Sequence, residues 1–375
     1  MSGHLALFAG GGTAGHVFPA LAVADELTIR GWSTRFTGSA DGLEARLVTE
    51  RGGTFDALPA RPLVGRGMLS QLGALVTTGR SALAARRRIR RLGVDVAVGT
   101  GGYVSAPAVI GARLAGCPSL LVEPNAEAGV ANRWLSRWAS GAAVAYSATA
   151  DRLHCPAWVT GVPVRQEFHA VPERSAPGEA IRVLVLGGSQ GAVELNEEVP
   201  RALAGLADRF PGLTVLHQAG RGKEEATLAA YAAAGLDASG ADAAEDAAGR
   251  FRVAGFLPAV VNEVAAADLL ISRAGAITTA EICAAGRPSV LVPLALAGGH
   301  QINNARHLAD AGAAVVVRTG EGSTGSRLEQ VLLGLLEDPE RVAAMGRAAR
   351  GLAPPNAAAA IADRVEELAA RGRGR

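Results

Sequence analysis

One pattern occurs twice in this chain, and it narrows the fold more than any other feature. Leu5-Ala-Leu-Phe-Ala9 runs into Gly11-Gly-Thr-Ala-Gly15, and Val183-Leu-Val-Leu186 runs into Gly187-Gly-Ser-Gln-Gly191. In each half a short, continuously apolar segment ends in Gly-Gly-[Ser/Thr]-x-Gly, and a helical stretch follows. Such a segment reads as a strand buried on both faces, the condition inside a parallel sheet. The glycines let backbone N–H groups approach an anion, and the next helix presents its positive end there. Two such openings in 375 residues predict an α/β chain of two Rossmann-like domains, one per half.

The rest of the chain fits that reading. Segments 33–37, 94–98, 119–122, 181–186, 213–217, 269–272 and 289–293 are strand-like and alternate with Ala/Leu/Arg-rich helical stretches. In the first of those stretches Pro19 suits the opening turn and Gly31 a stop. Segment 163–180 carries prolines at 163, 172 and 177 and reads as a linker between domains 1–163 and 164–375. The last helix is expected to pack back on the N-terminal domain. With 49% apolar and 19% charged residues, the chain is globular. Its net charge of +2 argues against a nucleic-acid partner. Cys117, Cys155 and Cys283 are odd in number and contain no Cys-x-x-Cys pair, so neither a disulfide framework nor a structural zinc is expected. No apolar stretch is long enough to span a bilayer, and 5–9 runs straight into glycine rather than forming a signal peptide.

Three blocks carry candidate chemistry. His16 directly follows the first loop, where the helix end would hold its imidazole neutral and able to accept a proton. It could equally cap the helix or pack in a cleft. Gly10-x-Gly12-x-x-Gly15 also fits a dinucleotide fingerprint, but Asp41 lies off the position where a ribose-binding acid belongs. In Ser272-Arg-Ala-Gly-Ala-Ile-Thr-Thr-Ala-Glu281 a strand passes through a small-residue turn into a helix. Thr278 and Glu281 have capping-box spacing, yet a carboxylate there could also hold ribose hydroxyls. Gln301 and Asn304 suit sugar hydroxyls, or simply a polar helix start.

Together these blocks resemble the MurG family, the UDP-N-acetylglucosamine–N-acetylmuramyl-(pentapeptide) pyrophosphoryl-undecaprenol N-acetylglucosamine transferases. The resemblance runs from Leu5 to about Val317. Its marks are Gly10–Ala20, Gly101-Gly-Tyr-Val-Ser-Ala-Pro107, Glu123-x-Asn125, Asn132-Arg133, Gly161-x-Pro-Val-Arg165, Gly187–Ala192, Ser272–Glu281 and His300-Gln-x-x-Asn-Ala305. It implies a GT-B fold, with two Rossmann-like domains facing across a cleft. It also implies inverting transfer of GlcNAc from UDP-GlcNAc to the 4-hydroxyl of undecaprenyl-pyrophosphoryl-MurNAc-pentapeptide, with no metal and no cofactor. The sequence has no Asp-x-Asp motif, and Glu281 has no glutamate seven positions away.

Residue by residue, the resemblance places UDP-GlcNAc on Thr13, Ala14, Gly15, Asn125, Arg165, Ser189, Leu257, Ala276, Ile277, Thr278, Thr279, Ala280, Glu281, Gln301 and Asn304. Tyr103 falls on the acceptor side. His16 is the first candidate for general base and Glu123 the second. Three departures stand out: Val122-Glu-Pro-Asn125 where His-Glu-Gln-Asn is frequent, Gly298-Gly299 before His300, and Ala274 where serine is frequent. A UDP-GlcNAc 2-epimerase and a nucleotide-sugar-binding module without catalysis are the alternatives.

The acceptor's lipid implies a membrane. Leu63, Met68, Leu69, Leu72, Leu75 and Val76 lie beside Arg80, Arg86, Arg87, Arg88, Arg90 and Arg91, while Lys223 is the sole lysine. Apolar side chains beside a basic band suit an anionic lipid surface. The same pattern is also that of a helix with a solvated charged face. The resemblance tips the reading toward peripheral docking on the cytoplasmic face of the bacterial plasma membrane.

Overall fold

The computed structural model describes residues 3–59, 68–188, 190–241, 249–294, 299–319, 323–354 and 356–373; for residues 14 and 68–75 it describes the backbone alone. The chain divides into two compact units, Met1–Arg165 with Pro354–Arg375, and Gln166–Ala353.

The first unit opens with β1 (Leu5–Ala9), α1 (Ala14–Ile29), β2 (Ser33–Gly38), α2 (Leu43–Glu50), β3 (Thr54–Ala57), α3 (Met68–Leu92) and β4 (Val96–Gly99). It continues with α4 (Ser105–Ala115), β5 (Ser119–Glu123), α5 (Val130–Leu135), β6 (Gly141–Val144), α6 (Ser147–Ala150) and β7 (Ala157–Val159). Among the described residues the strands form one parallel sheet in the order β3-β2-β1-β4-β5-β6-β7. Ala6, Leu7, Phe8 and Ala9 are wholly buried, as a strand covered on both faces requires. Val17, Ala20, Val23, Ala24 and Leu27 of α1 pack into the same core.

The second unit holds α7 (Gln166–His169), β8 (Ile181–Leu186), α8 (Val193–Ala204), β9 (Leu213–Gln218), α9 (Glu224–Ala233), β10 (Ala238–Gly240), β11 (Phe251–Ala254) and α10 (Val260–Ala266). Then come β12 (Leu269–Ser272), α11 (Ala276–Ala285), β13 (Ser289–Leu291), α12 (His300–Asp310), β14 (Ala314–Val316), α13 (Thr324–Leu336) and α14 (Pro339–Leu352). Its described strands are again all parallel, in the order β10-β11-β9-β8-β12-β13-β14. In both sheets the chain first fills one side of the first strand, in the second sheet with β11 inserted between β9 and β10, then returns to continue on the other side. That leaves a crevice at the carboxyl ends of β1 and β4, and of β8 and β12, where α/β sheets bind ligands.

The last helix, α15 (Ala357–Arg373), packs on the first unit. Ile361, Ala362, Val365 and Leu368 join the core that contains Phe8 and Val23. Arg30 donates to Asp363 at 2.6 Å and to Glu366 at 3.0 Å, and Trp32 Nε1 donates to Glu366 at 3.2 Å.

Several details differ from the sequence reading. Strands β3, β6, β7, β10, β11 and β14 were not expected; each is only three or four residues long, and β14 alone lies in a plain apolar run, 313–317. Helix α1 begins at Ala14, so Pro19 falls in its second turn, where it cannot donate to the Gly15 carbonyl. Segment 163–180 is no plain linker, because it carries α7, whose Phe168 is wholly buried. Arg174 in that segment pairs with the buried Asp268, which also accepts the Arg182 N–H at 2.8 Å.

Candidate functional site

In the first unit the loop after β1 meets the loop after β4. Thr100 Oγ1 donates to the His16 carbonyl at 2.7 Å, fastening the start of α1 to the end of β4. Gly102 has φ of 74°, and a Cβ there would lie 2.7 Å from the Gly11 oxygen, so only glycine lets the loops close this tightly. The His16 ring lies against this Gly101-Gly102 backbone. Its Nδ1 is 3.1 Å from the Gly11 carbonyl and 3.2 Å from Thr13 Oγ1. A carbonyl only accepts, so Nδ1 carries the proton and Nε2 is the bare acceptor. Burial, more than any other effect, lowers the pKa of His16; the Gly11 hydrogen bond and the charges of Glu123 and Glu44 oppose it. Tyr103 lies alongside Gly12, its ring 3.7 Å from where a Cβ would be.

Glu123 ends β5 and is 2% exposed. Its Oε1 accepts the Asn125 N–H at 3.0 Å and Asn125 Nδ2 at 2.9 Å; its Oε2 accepts the Gly129 N–H at 2.9 Å and Asn132 Nδ2 at 3.0 Å. Four donors use all the in-plane lone-pair positions of a carboxylate. Glu123 therefore shapes the loop that presents Asn125, and it lacks the free lone pair that a general base requires. Arg165 stacks on Phe18 of α1, 5.2 Å from the ring centre.

In the second unit Gly191 has φ of 69°, and a Cβ there would run into the Ala219 carbonyl, so the second glycine loop lies directly on the turn after β9. Lys223 Nζ donates to the Gln190 carbonyl at 2.7 Å. Asn196 Nδ2 donates to Ala219 O at 2.9 Å, and its Oδ1 is 3.1 Å from His217 Nε2. His217 Nδ1 is 3.1 Å from the Tyr231 hydroxyl. Burial pushes His217 down to about 3, so it is neutral: Nε2–H donates to Asn196 and Nδ1 accepts from Tyr231. Ser189 lies outside the described residues.

After β12, Gly275 caps α11 without help from a side chain, and the Thr279 N–H makes the first bond back, at 2.9 Å to Gly275 O. The N–H groups of Ala276, Ile277 and Thr278 thus have no partner within the helix. Thr278 stands inside the first turn and not at the cap, so it forms no capping box with Glu281 one turn on; the capping alternative falls. Glu281 is half-buried, and Thr279 is turned inward, donating to Gly275 O at 3.0 Å. Ala280 completes that helical turn. From α12, Asn304 Nδ2 donates to Ala274 O at 3.1 Å, and Gln301 Oε1 accepts the Leu294 N–H at 2.9 Å. Leu257 is half-buried beside the exposed Phe256, over which Arg221 stacks at 4.6 Å.

On α3, Val76 (56% exposed) and Leu83 (47%) share a face with the exposed Arg80, Arg87 and Arg90, at spacings of three and four. Arg86 donates to Leu114 O at 3.1 Å, and Arg88 lies 4.0 Å from Asp56, so both are engaged within the unit. The side chains of Leu69, Leu72, Leu75 and Ala14 lie outside the described residues. Among the described residues no helix is long and apolar enough to cross a membrane, and no three His, Cys, Asp or Glu side chains gather as a metal would need.

Glu44 was missed in the sequence. It sits on α2, 2% exposed, and accepts the Gly12 N–H at 3.2 Å and the Ser39 N–H at 2.9 Å. The glycines at 38 and 42 that flank its approach were the available signal. Asn132 was recognised as a family mark without a role; buried, it donates to Val122 O at 3.1 Å besides Glu123.

The N-terminal and C-terminal domain models of glycosyltransferase family 28 match residues 6–144 and 182–365. A UDP-N-acetylglucosamine–N-acetylmuramyl-(pentapeptide) pyrophosphoryl-undecaprenol N-acetylglucosamine transferase of Sorangium cellulosum is 42% identical over 98% of this chain and 89% of its own. The crystal structure of Acinetobacter baumannii MurG superposes with a TM-score of 0.74 at 33% identity, covering 97% of this chain and 99% of that one. A UDP-GlcNAc 2-epimerase from Neisseria meningitidis, bound to UDP-GlcNAc, superposes with a TM-score of 0.67 over 97% of this chain and 99% of that one. At 13% identity that likeness is one of fold alone. The chain is a UDP-GlcNAc-type glycosyltransferase of the GT-B fold and belongs to glycosyltransferase family 28, within it to the MurG family.

Proposed function

We propose that this enzyme transfers GlcNAc from UDP-GlcNAc, with inversion and without a metal, to the 4-hydroxyl of undecaprenyl-pyrophosphoryl-MurNAc-pentapeptide. The observation that carries the mechanism is the bare Nε2 of His16, held beside the crevice of the first sheet by the Nδ1–H bond to Gly11. His16 takes the proton of the attacking hydroxyl as the anomeric carbon passes through an oxocarbenium-like state. Thr13, Gly15, Tyr103 and Asn125 line the same part of the first unit, and Glu123 acts there as a positioning residue. The second unit takes the donor. There the N–H groups of Ala276, Ile277 and Thr278, which have no partner within α11, and Ser189 of the second glycine loop stabilise the departing diphosphate. Glu281 holds the ribose, Leu257 the uracil side and Gln301 the sugar, while Asn304, wholly buried and donating to Ala274 O, positions the turn before α11.

The test is UDP release from UDP-GlcNAc in excess EDTA, with and without a short-chain, water-soluble analogue of the muramyl lipid. Release that requires the acceptor is expected. Formation of UDP-ManNAc without acceptor would replace the reading with an epimerase, and binding without turnover with a carrier module. Loss of activity in EDTA, restored by Mg²⁺, would overturn the metal-free account.

The face of α3 that carries Val76, Leu83, Arg80, Arg87 and Arg90 is the docking surface for the anionic cytoplasmic leaflet, each basic residue contributing about 1 kcal/mol near the surface. Arg80, Arg87, Arg90 and Arg91 together replaced by glutamate should abolish co-sedimentation with anionic vesicles while sparing turnover of the soluble analogue. Undiminished sedimentation would move the docking surface elsewhere.

A further inference from the structure

We propose that Glu44 is a positioning residue for His16, acting through the single peptide group that joins Gly11 to Gly12. The proposal rests on the reading of His16 as general base. The carbonyl of that peptide accepts from His16 Nδ1 at 3.1 Å, and its N–H donates to Glu44 Oε2 at 3.2 Å. Carboxylate, peptide and imidazole thus form one chain of hydrogen bonds, all polarised in the same sense, and each bond strengthens the next. In serine hydrolases a buried carboxylate holds the histidine tautomer directly and stabilises the imidazolium as it forms. Here one peptide dipole stands between the two groups.

The surroundings are built for this arrangement. The second carboxylate oxygen is anchored by the Ser39 N–H at 2.9 Å. A Cβ at Gly11, Gly38 or Gly42 would run into the Glu44 side chain, so three glycines leave the cradle it occupies. The consequence for His16 is twofold. Nδ1 is fixed as the protonated nitrogen, which leaves Nε2 as the acceptor. The positive charge that appears once Nε2 takes a proton is stabilised from behind. The ionisable groups around His16 are Glu44 from α2, Glu123 from β5 and Tyr103 from the loop after β4. Both carboxylates favour the imidazolium, against the dominant effect of burial.

The experiment is ¹⁵N and ¹³C NMR of the full chain with labelled histidine, His16 being assigned by its disappearance in His16→Gln. In the parent, His16 should show a protonated Nδ1 and a bare Nε2. In Glu44→Gln the Nδ1–H tautomer should lose population and the His16 titration should move to lower pH. The acid limb of kcat should move with it, kcat should fall by on the order of tenfold, as for outer partners of metal-bound histidines, and the donor KM should hold. Glu44→Asp keeps the charge but falls a methylene short, so it should lose the tautomer preference with a smaller titration shift. A parent His16 protonated on Nε2 would overturn the proposal, as would a Glu44→Gln chain with tautomer and titration unmoved; the parent measurement decides even if no Glu44 variant folds. A shifted NMR titration with an unmoved acid limb would leave the coupling standing and remove His16 from the chemistry instead.

Discussion

The two glycine loops share a sequence pattern, each follows the first strand of an all-parallel sheet, and yet they are backed by opposite chemistry. Behind the first loop stands the buried Glu44, which occupies the Gly12 N–H. Behind the second, Lys223 reaches the Gln190 carbonyl, and Asn196, His217 and Tyr231 form a neutral network under the turn it rests on. An anion brought to the first loop would face a carboxylate, and one brought to the second a cation. Gly-Gly-[Ser/Thr]-x-Gly sets the backbone path; the side chains that arrive from elsewhere decide whether the loop serves a proton acceptor or an anion.

The largest test of this contrast is His16→Ala. It should lower kcat by a factor on the order of 10²–10⁴ with donor affinity nearly intact. A kcat within a few-fold of the parent would take the proton-acceptor role from the first loop. Next, Glu281→Gln should weaken UDP-GlcNAc binding by about 1–3 kcal/mol in a calorimetric titration, the scale of a charged hydrogen bond. Unchanged affinity would put the ribose elsewhere. Smaller again, Lys223→Met should cost about 1 kcal/mol or less of UDP affinity and leave uridine affinity alone; an equal loss for both would mean that the lysine supports the fold and not the phosphate.

The smallest effect at working pH belongs to His217. Its folded pKa, about 3, lies below its ordinary 6.5, so the unfolded chain binds the extra proton between them. Stability from this residue is complete above about 6.5 and is lost as pH falls toward 3. Acid denaturation followed across that window should therefore be less steep in His217→Gln. An identical acid limb would show that the buried imidazole is no part of the second loop's support.

Much of this was legible in the sequence, and what escaped shares one cause. Both glycine loops, the strands at 5–9, 181–186 and 269–272 and the block ending at Glu281 announce themselves within a dozen residues. Strand β6, Gly-Ala-Ala-Val, has too little side chain to stand out from its Ala-rich neighbours. Glu44 lies on a polar eight-residue helix and gains its meaning only when Gly12, 32 positions earlier, comes within hydrogen-bond reach. Glu123 shows the converse. A glutamate at a strand end reads as free chemistry until the loop of Asn125, Gly129 and Asn132 folds over it.

Helix α15 imposes an order of events on synthesis. Residues 357–373 follow the whole of the second unit, yet Ile361, Val365 and Leu368 complete the core of the first. As the chain leaves the ribosome, the face of α1 that receives them stays open to water while the second unit is being made, and that unit can close before the earlier one does. Truncation after Pro354 should accordingly spoil the beginning of the chain and spare its nearer neighbour, with the exposed apolar face of α1 as a site for chaperones or aggregation.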